Sequence, residues 1–398
     1  MGNRNLYLTA EEAARILGVR VPTLYAYVSR KLIRSEPIVG SRARKYWKSD
    51  VDRLRGKPGT TENSNPHAPL ASESKITLIT EDGLYFRGRD AVELSRHATI
   101  EALAAMMWET DEEFLFGSPM TGAPDIWPQI QPSLAKLGIL ERALVLFPML
   151  ERVDPRAYDL SPAGYARSGA DVLRWYAAMM VRSKKLPAQS LHKFVAKAMR
   201  APAGFDEVIR TLLILSVDHE FDPITYAVRA VANVGVTPYQ AVTAGIMVSR
   251  GQRFQEERSG AVSRFLKEIL ASRDGHAAVV KRLRNREPLP GFSSGRSGSD
   301  PRPAALMAAL RQVLHGDSQF KRLEEAEKAA SEAMGAVMEY IIPALFVGHR
   351  LGFEGEELAI AALGRMVGWI AHAMEQFHQH ELIRPHASYV GPLPIWVA

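Results

Sequence analysis

The sequence predicts a predominantly α-helical protein divided into two units, and three observations support this expectation. Apolar residues recur at helical spacing through most of the chain after residue 170. Residues 58–73 are rich in Pro, Ser, Thr and Asn without apolar periodicity, which is typical of a flexible linker. The segment before this linker is short and strongly basic. We therefore expect a small domain over residues 1–57 and a large helical body from residue 74.

Composition restricts the class of protein. A chain of 398 residues is long enough for two or three domains with separate cores. It has 46% hydrophobic and 24% charged residues, as soluble globular proteins do, and no apolar run reaches the roughly 18 to 20 residues that span a bilayer. The absence of cysteine excludes disulfides, thiol nucleophiles and cysteine metal sites. The N-terminus has no signal-peptide pattern, so we predict a cytoplasmic protein without membrane contact.

Positive charge is concentrated at the N-terminus. The first 60 residues hold 13 Lys and Arg against 5 Asp and Glu, whereas the remainder holds 37 against 39. Such a block favours a polyanion such as DNA as the partner of residues 1–57, because phosphates that are neutralised by a protein release their counterions. A basic face that is simply solvated is the alternative.

The N-terminal segment contains the start and stop signals of two short helices. Thr9 is placed as an N-cap with Glu12 three residues later, which is the spacing of a capping box. Gly18 marks the end of the first helix. After a three-residue turn, Pro22 marks the start of a second helix that continues to about Ser29. The pattern predicts a helix-turn-helix.

A basic stretch over residues 42–48 follows, and then a further helix that begins near Ser49. Together with the motifs LTAEEAARILGV, TLYAYV and KYWKSDVDRL, this order resembles the winged helix-turn-helix of the MerR/excisionase type over residues 6–55. The resemblance implies DNA binding. Because one such module has a small footprint, specific binding implies a dimer that contacts two half-sites.

The resemblance also implies which side chains face DNA. The second helix directs its polar and aromatic residues toward the major groove and the basic wing contacts phosphates. The residues concerned are Thr23, Tyr25, Tyr27 and Arg30 on the helix, and Arg42, Arg44 and Lys45 on the wing. In the alternative interpretation the tyrosines pack in the small core, the arginines are solvated, and the module binds protein.

Beyond the linker, two short β-like runs flank a turn at Asp82–Gly83, and amphipathic stripes follow. The stripes cover residues 170–182, 206–216, 226–234, 240–249, 260–271, 303–315, 323–347 and 357–379. They predict a mainly α architecture, but their periodicity alone does not select a fold.

Six stretches occur in the same order as matching blocks of citrate synthases: KITLITEDGLYFRGRDAVEL, LILSVDHEFDPITYAVRAVANVG, PYQAVTAGIMVSRG, LPGF…SDPR, ALGRMVGWIAHAMEQ and RPHASYVGP. Residues 75–393 therefore resemble the citrate synthase family. The resemblance implies an all-helical fold in two subdomains, assembled as a homodimer. Its large domain covers residues 74–250 and 341–398, and its small domain covers residues 251–340.

The resemblance further implies an oxaloacetate-like dicarboxylate and an acyl-CoA as ligands or substrates, with no separate cofactor and no metal. His219 of DHE matches the histidine that binds oxaloacetate, and Arg302 of DPR and Arg365 of GRMVGWIAH match two arginines that clamp its carboxylates. The family's third clamp, an arginine from the partner subunit, falls on His386, which pairs well with a carboxylate only when protonated.

The catalytic positions of the family carry different residues here. The histidine that stabilises the enolate falls on Phe254, the histidine that polarises the ketone falls on Ser294, and the aspartate base falls on Ile341. A phenyl ring cannot donate the hydrogen bond that the enolate requires, and Ser294 stands in a loop one residue shorter than that of the family. A shift of the alignment by two residues places Glu339 at the position of the base.

Two hypotheses follow from this pattern. In the first, the protein is a transcriptional regulator or sensor that binds a dicarboxylate or an acyl-CoA without ordinary turnover. In the second, it is an active citrate or methylcitrate synthase, an acyltransferase that converts the acyl group to an alkyl group on transfer, with a site rearranged around Glu339, Arg253 or His386.

Two weaker motifs have ordinary explanations. His372, His378 and His380 lie near one another in sequence with Glu375, as zinc ligands do, but His372 belongs to the WIAH element and is expected in the core. The basic stretch 281–287 suits either the nucleotide end of CoA or a solvated helix end.

Overall fold

The structure, a computed structural model, describes residues 7–38, 41, 43–55, 73–81, 83–117, 120, 127–187, 190–294, 300–379 and 383. The chain divides into two compact units, residues 1–73 and 74–398. Most of the predicted linker lies outside the described residues, as do Asp82, Arg42, His380 and His386.

The first unit combines three helices with a small antiparallel sheet. Its elements are β1 (Tyr7–Leu8), α1 (Ala10–Leu17), α2 (Val21–Ser29), β2 (Ser35–Pro37), β3 (Arg44–Trp47) and α3 (Lys48–Arg55). The strand order is β1-β3-β2. The predicted caps of α1 are confirmed, because Thr9 and Glu12 form a capping box and Gly18 closes the helix at a φ of 65°.

A small apolar core and one ion pair hold the first unit together. Leu24, Ile33, Tyr46 and Val51 are buried at its centre. Close by, the carboxylate of Asp50 accepts hydrogen bonds from the backbone and side-chain nitrogens of Arg34, all between 2.9 and 3.0 Å. Bidentate pairing is among the stronger interactions available to these groups, and it fixes α3 against the chain that leads into β2.

The second unit is mostly helical, as predicted. Its helices are α4 (Ala91–His97), α5 (Ile100–Met107), α6 (Glu112–Phe116), α7 (Trp127–Leu134), α8 (Ile139–Val153), α9 (Pro162–Met180), α10 (Leu191–Ala198), α11 (Phe205–Leu215), α12 (Pro223–Ala232), α13 (Pro238–Ser249), α14 (Ala261–Ala271), α15 (Gly275–Arg284), α16 (Arg302–Val313), α17 (Ser318–Met334), α18 (Ile341–Arg350) and α19 (Ala359–His378). A 3₁₀ turn lies at Pro155–Tyr158 and a π-helical segment at Arg253–Gly260. No helix in the described ranges is long and apolar enough to cross a membrane.

Short strands form two small antiparallel sheets in the described part of this unit; the first contains the two β-like runs predicted around the turn at residues 82–83, whereas the second was not predicted. One consists of β4 (Thr77–Thr80), β5 (Gly83–Phe86) and β6 (Arg89–Asp90), and the other pairs β7 (Phe292–Ser294) with β8 (Ala336–Met338). The second sheet divides the apolar stripe predicted over residues 323–347, because Gly335, at a φ of 61°, ends α17 and β8 follows it.

The second unit contains two groups of buried apolar residues. The larger one is built mainly from helices that include α9, α11, α13 and α19. The smaller one comes from α14, α15, α17 and the β7–β8 region, with Phe265, Ile269 and Leu289 among its members. Both groups contribute to the stability of the unit, since each removes apolar surface from water.

Helix α19 lies unusually close to the end of α11 because it presents glycines there. A Cβ on Gly364 would overlap the carbonyl oxygen of Leu213, and one on Gly368 would overlap that of Val217. Only glycine permits backbones to approach to this distance. The approach brings the middle of α19 against the residues that follow α11, where the predicted anion-binding residues lie.

Replacing Gly368 with Ala is therefore expected to destabilise the large unit by about 1 to 3 kcal/mol through overpacking. The control is Gly251→Ala, whose new Cβ would meet only the carbonyl oxygen of Val248, at 3.1 Å. Urea unfolding followed by circular dichroism compares the two variants. Equal unfolding midpoints would contradict the close approach of α19 to α11.

Candidate functional site

The predicted dicarboxylate-binding residues lie where three helices begin, end or cross. Asp218 and His219 follow the end of α11, and Arg302 is the first residue of α16. Arg365 and His372 lie two turns apart on α19, so both project from the same face of that helix.

Asp218 is fully buried and forms the centre of this region. One of its oxygens accepts hydrogen bonds from the Thr77 hydroxyl at 2.5 Å and from His372 Nε2 at 3.1 Å. The other oxygen lies 3.3 Å from Arg365 Nη1. Burial alone would raise the pKa of the Asp218 carboxyl, but His372, Arg365 and Thr77 outweigh it and hold the pKa below its ordinary value.

His372 lies in the core, as predicted, and its contacts define its tautomer. Its Nδ1 lies 3.2 Å from Nη1 of Arg229, which can only donate. Nδ1 therefore accepts that hydrogen bond, and Nε2 carries the proton that is donated to Asp218. The buried Arg229 also pairs with Glu375 at 2.7 Å, so the chain of contacts fixes the imidazole between a cation and an anion.

Arg365 is held by acidic and polar groups at the start of α12. Its Nη2 forms a close ion pair with Asp222, the N-cap of α12, and donates to the Thr225 hydroxyl at 3.0 Å. Together with Asp218, these contacts bind the guanidinium on two sides. Its positive charge is thus already compensated by carboxylates of the same chain.

Arg302 is compensated in the same way. Its Nε and Nη2 bind the carboxylate of Asp300 at 2.8 to 3.1 Å. The guanidinium lies 4.6 Å from the ring centre of Tyr340, a cation–π distance. The Tyr340 hydroxyl donates to the carbonyl of Leu212 at 3.1 Å, and its oxygen lies 2.8 Å from the Ser216 hydroxyl.

The surroundings of His219 lower the pKa of its imidazole. The side chain is solvent-accessible, yet protein atoms surround much of it. Desolvation and the positive charges of Arg302 and Arg365 lower the pKa of His219 to about 4, outweighing the carboxylates of Asp300 and Asp218. The imidazole is neutral at pH 7 and can donate one hydrogen bond.

The positions aligned with the catalytic residues lie on other segments. Ser294 is exposed at the end of β7, where it pairs with Ala336 of β8. Ile341 is the first residue of α18 and packs against the main core. Phe254 belongs to the π-helical segment, and its side chain lies outside the described residues.

Glu339, the predicted substitute base, lies between β8 and α18. Its backbone N–H donates to the carbonyl of Gly291 at 2.8 Å. Its half-exposed carboxylate lies 3.8 Å from Nη2 of Arg258 on the π-helical segment. This contact connects the turn after β8 with the π-helical segment that contains Phe254.

One further grouping of metal-ligand types occurs among the described residues. Ligand atoms of His192, Asp206 and Glu207 lie within 4.8 Å of one another. Glu207 is already paired with Arg210 at 2.7 Å, and the grouping involves none of the histidines of the predicted zinc motif. We assign no metal to it.

In the first unit, α2 exposes part of the predicted DNA-contacting set. Thr23 and Arg30 are exposed, and Tyr25 is 52% exposed. Tyr27 instead packs against the small core, in agreement with the alternative interpretation for that residue.

The wing residues make contacts within the unit. The side chain of Arg44 donates to Ser35, and Lys45 pairs with Glu36 at 3.2 Å and lies over the Tyr7 ring. Exposed ion pairs of this kind are weak, so neither contact prevents a lysine or arginine from meeting a phosphate.

Comparison with known proteins identifies the family. The citrate synthase C-terminal domain matches residues 147–386, more than half of the chain, and the chain therefore belongs to the citrate synthase family. A helix-turn-helix domain matches residues 7–56.

Citrate synthase 2 of Bacillus subtilis is 29% identical over 363 residues, covering 81% of this chain and 94% of that protein. The 2-methylcitrate synthase of Shewanella oneidensis is 24% identical over 369 residues, covering 81% and 93%.

Solved structures share the fold at lower sequence identity. The citrate synthase of Pyrobaculum aerophilum superposes with a TM-score of 0.65 at 19% identity, covering 83% of this chain and 92% of that one. The citrate synthase of Thermoplasma acidophilum, in ternary complex with carboxymethyl coenzyme A and oxaloacetate, gives 0.62 at 18% identity, covering 82% and 96%.

Sequence reasoning missed the groups that support the predicted residues. Asp218 and Asp222 stand beside His219 in the DHEFD stretch, and their acidic character was available as a signal for an arginine partner. Thr77 and Tyr340 had no such signal, because they come from distant parts of the chain and only folding brings them to Asp218 and Arg302.

We expect Arg302→Met to raise the pKa of His219, because it removes a positive charge that opposes protonation and leaves Asp300 unpaired. NMR titration of the imidazole measures the shift, with His219→Gln to assign the signal and the exposed Arg273→Met as a control. An unchanged pKa would refute the proximity of the two side chains.

The lowered pKa of His219 also makes the stability of the fold depend on pH. Between pH 6.5 and about 4 the unfolded chain binds a proton at His219 that the folded chain does not, so this group makes folding less favourable as the pH falls through that window.

Proposed function

We propose that this protein is a cytoplasmic, homodimeric DNA-binding regulator whose citrate-synthase-like body senses an oxaloacetate-like dicarboxylate, an acyl-CoA, or both. The observation that carries the proposal is the contrast within one site. The charges of Arg302 and Arg365 both act on His219, whereas the three positions aligned with catalytic residues hold Phe, Ser and Ile.

The arrangement of the two arginines supports binding of a dianion. Both guanidinium groups are mostly buried, while their partners Asp300 and Asp222 have side chains that are 35% and 32% exposed. A ligand carboxylate offers the same bidentate geometry as an Asp side chain. A dicarboxylate can therefore exchange with these more exposed partners without leaving a buried charge unpaired, and neutral His219 can donate to a ligand oxygen.

The chemistry of the replaced positions argues against ordinary turnover. Loss of a general acid or base typically costs on the order of 10²- to 10⁴-fold in rate, and loss of an oxyanion donor costs about 10²- to 10³-fold. Three such losses leave little of the condensation mechanism even when the effects are far from additive.

The outer surface supports the proposed dimer. Helices α8 and α13 pack against each other and carry exposed large apolar side chains, among them Val145 at 42% and Met247 at 62%. Apolar groups on neighbouring helices are suited to burial against a second copy of the chain. Two helix-turn-helix domains per dimer match a DNA site with two half-sites.

A second candidate function is an active citrate or methylcitrate synthase. The relatives of those names match over more than nine-tenths of their own length. The half-exposed carboxylate of Glu339, at the end of β8, is the group suited to act as the base in this alternative.

Measurements of oxaloacetate binding and of turnover together separate the two functions. We expect oxaloacetate to bind and to raise the thermal unfolding midpoint, while thiol release from acetyl-CoA with oxaloacetate stays far below the ordinary range of about 1 to 10³ per second. Arg302→Met is expected to weaken oxaloacetate binding by roughly tenfold or more, since it removes a charged hydrogen-bonding partner.

The exposed Arg273→Met serves as the control and is expected to bind oxaloacetate as the unchanged protein does. Thiol release at ordinary enzyme rates that is abolished in Glu339→Gln would establish the enzyme in place of the sensor. Absence of both binding and turnover would reject both functions.

The DNA-binding part of the proposal is tested with random-sequence duplex DNA and fluorescence anisotropy. We expect log K to fall linearly with log salt concentration, and Arg30→Ala to reduce the slope by about 0.9 if that residue neutralises one phosphate. Arg273→Ala is the control for loss of one positive charge. Binding that does not respond to salt, or no binding at all, would contradict a DNA partner.

A further inference from the structure

A separate cavity of about 370 Å³ lies in the second unit, away from the site described above. The end of α7, the first turns of α8 and the end of α9 form its walls. Its lining is mainly apolar and includes Leu134, Trp175 and Met179, while Arg142, Arg182 and Lys184 supply positive charge. Space of this size holds about a dozen water molecules at roughly 30 Å³ each, or a ligand with about 10 to 15 non-hydrogen atoms.

Arg142 is the unusual member of this lining. It is only 7% exposed, yet among the described residues its guanidinium makes one hydrogen bond, from Nε to the carbonyl of Gly138, at the long distance of 3.4 Å. The negative charge of Glu356 acts favourably on Arg142. Its carboxylate, however, accepts a hydrogen bond from the N–H of Ile139 at 2.5 Å and forms no ion pair with Arg142 in the described ranges. Desolvation and the charge of Arg182 lower the pKa of Arg142.

A guanidinium does not lose its proton in a protein, so this charge persists in a mainly apolar wall. Buried charges are costly unless an opposite charge pairs with them. Arg182 and Lys184 add further positive charge to the cavity. Neither side chain makes an ion pair within the described part of the chain. Among the described residues no carboxylate pairs with these three cations, so an anion is the ligand chemistry that suits the cavity.

We propose that this cavity binds a carboxylate that carries an apolar chain or ring of medium length. The carboxylate pairs with Arg142, in the bidentate geometry that a guanidinium prefers, and the apolar part lies against Trp175, Met179 and Leu134. An inorganic anion leaves this apolar lining unfilled, and a whole coenzyme A exceeds the volume.

Decanoate, below its micelle-forming concentration, is the probe, titrated calorimetrically into the full chain with neutral decanol in parallel. We expect one decanoate per chain, at least tenfold weaker binding in Arg142→Met, and much weaker binding of decanol. Arg182→Met, at the exposed mouth of the cavity, tests the same charge without a change in the interior and is expected to weaken binding as well.

Two controls locate the effect. Arg273→Met, at an exposed position elsewhere, and Arg302→Met, in the dicarboxylate site, are both expected to leave decanoate affinity unchanged. The proposal fails if decanoate shows no saturable binding, if decanol binds equally well, or if Arg142→Met and Arg182→Met both bind decanoate with unchanged affinity. Loss of binding in Arg302→Met would place decanoate in the other site and would also overturn it.

Discussion

The buried carboxylate of Asp218 is the interaction on which the body of this protein depends. It connects β4, the end of α11 and the middle of α19 through Thr77, His372 and Arg365. Removal of one partner from a buried ion pair costs about 3 to 5 kcal/mol, because the remaining charge is left without compensation. The contact exists only because Gly364 and Gly368 allow α19 to approach the backbone of α11. Close packing of the helices and pairing of the buried charge therefore depend on the same stretch of α19.

The same network holds two of the predicted site residues in place. Arg302 and Arg365 lie on α16 and α19, and contacts with Tyr340, Asp218 and Asp222 orient their side chains. The positions aligned with catalytic residues lie elsewhere, on the exposed end of β7, at the start of α18 and in a π-helical segment. Substitution at Ser294 leaves the hydrogen bonds of the arginines intact. The predicted clamp arginines and the predicted catalytic positions therefore depend on different contacts within the described residues.

Charge compensation distinguishes the region around Arg302 and Arg365 from the cavity around Arg142. Arg302 and Arg365 each pair with a carboxylate of the chain, Asp300 and Asp222, so the proposed dicarboxylate would exchange one ion pair for another. Arg142 has no such partner among the described residues, and the proposed carboxylate ligand would supply the first one. The two proposed ligands would therefore bind through different residues.

Local patterns in the sequence determined the helix-turn-helix with its capping box at Thr9 and Glu12, the mainly helical body, and the family to which the chain belongs. They also predicted His219, Arg302 and Arg365 as site residues, because each stands in a short motif. Tertiary structure alone decided that Tyr25 is exposed while Tyr27 packs against the core, that β7 and β8 interrupt the helices, and that Thr77, Asp222 and Tyr340 support the site. Contacts of this kind join residues that are 141 to 154 positions apart, as Thr77 and Asp218 or Asp218 and His372 are, and nothing in the local sequence encodes which distant groups meet.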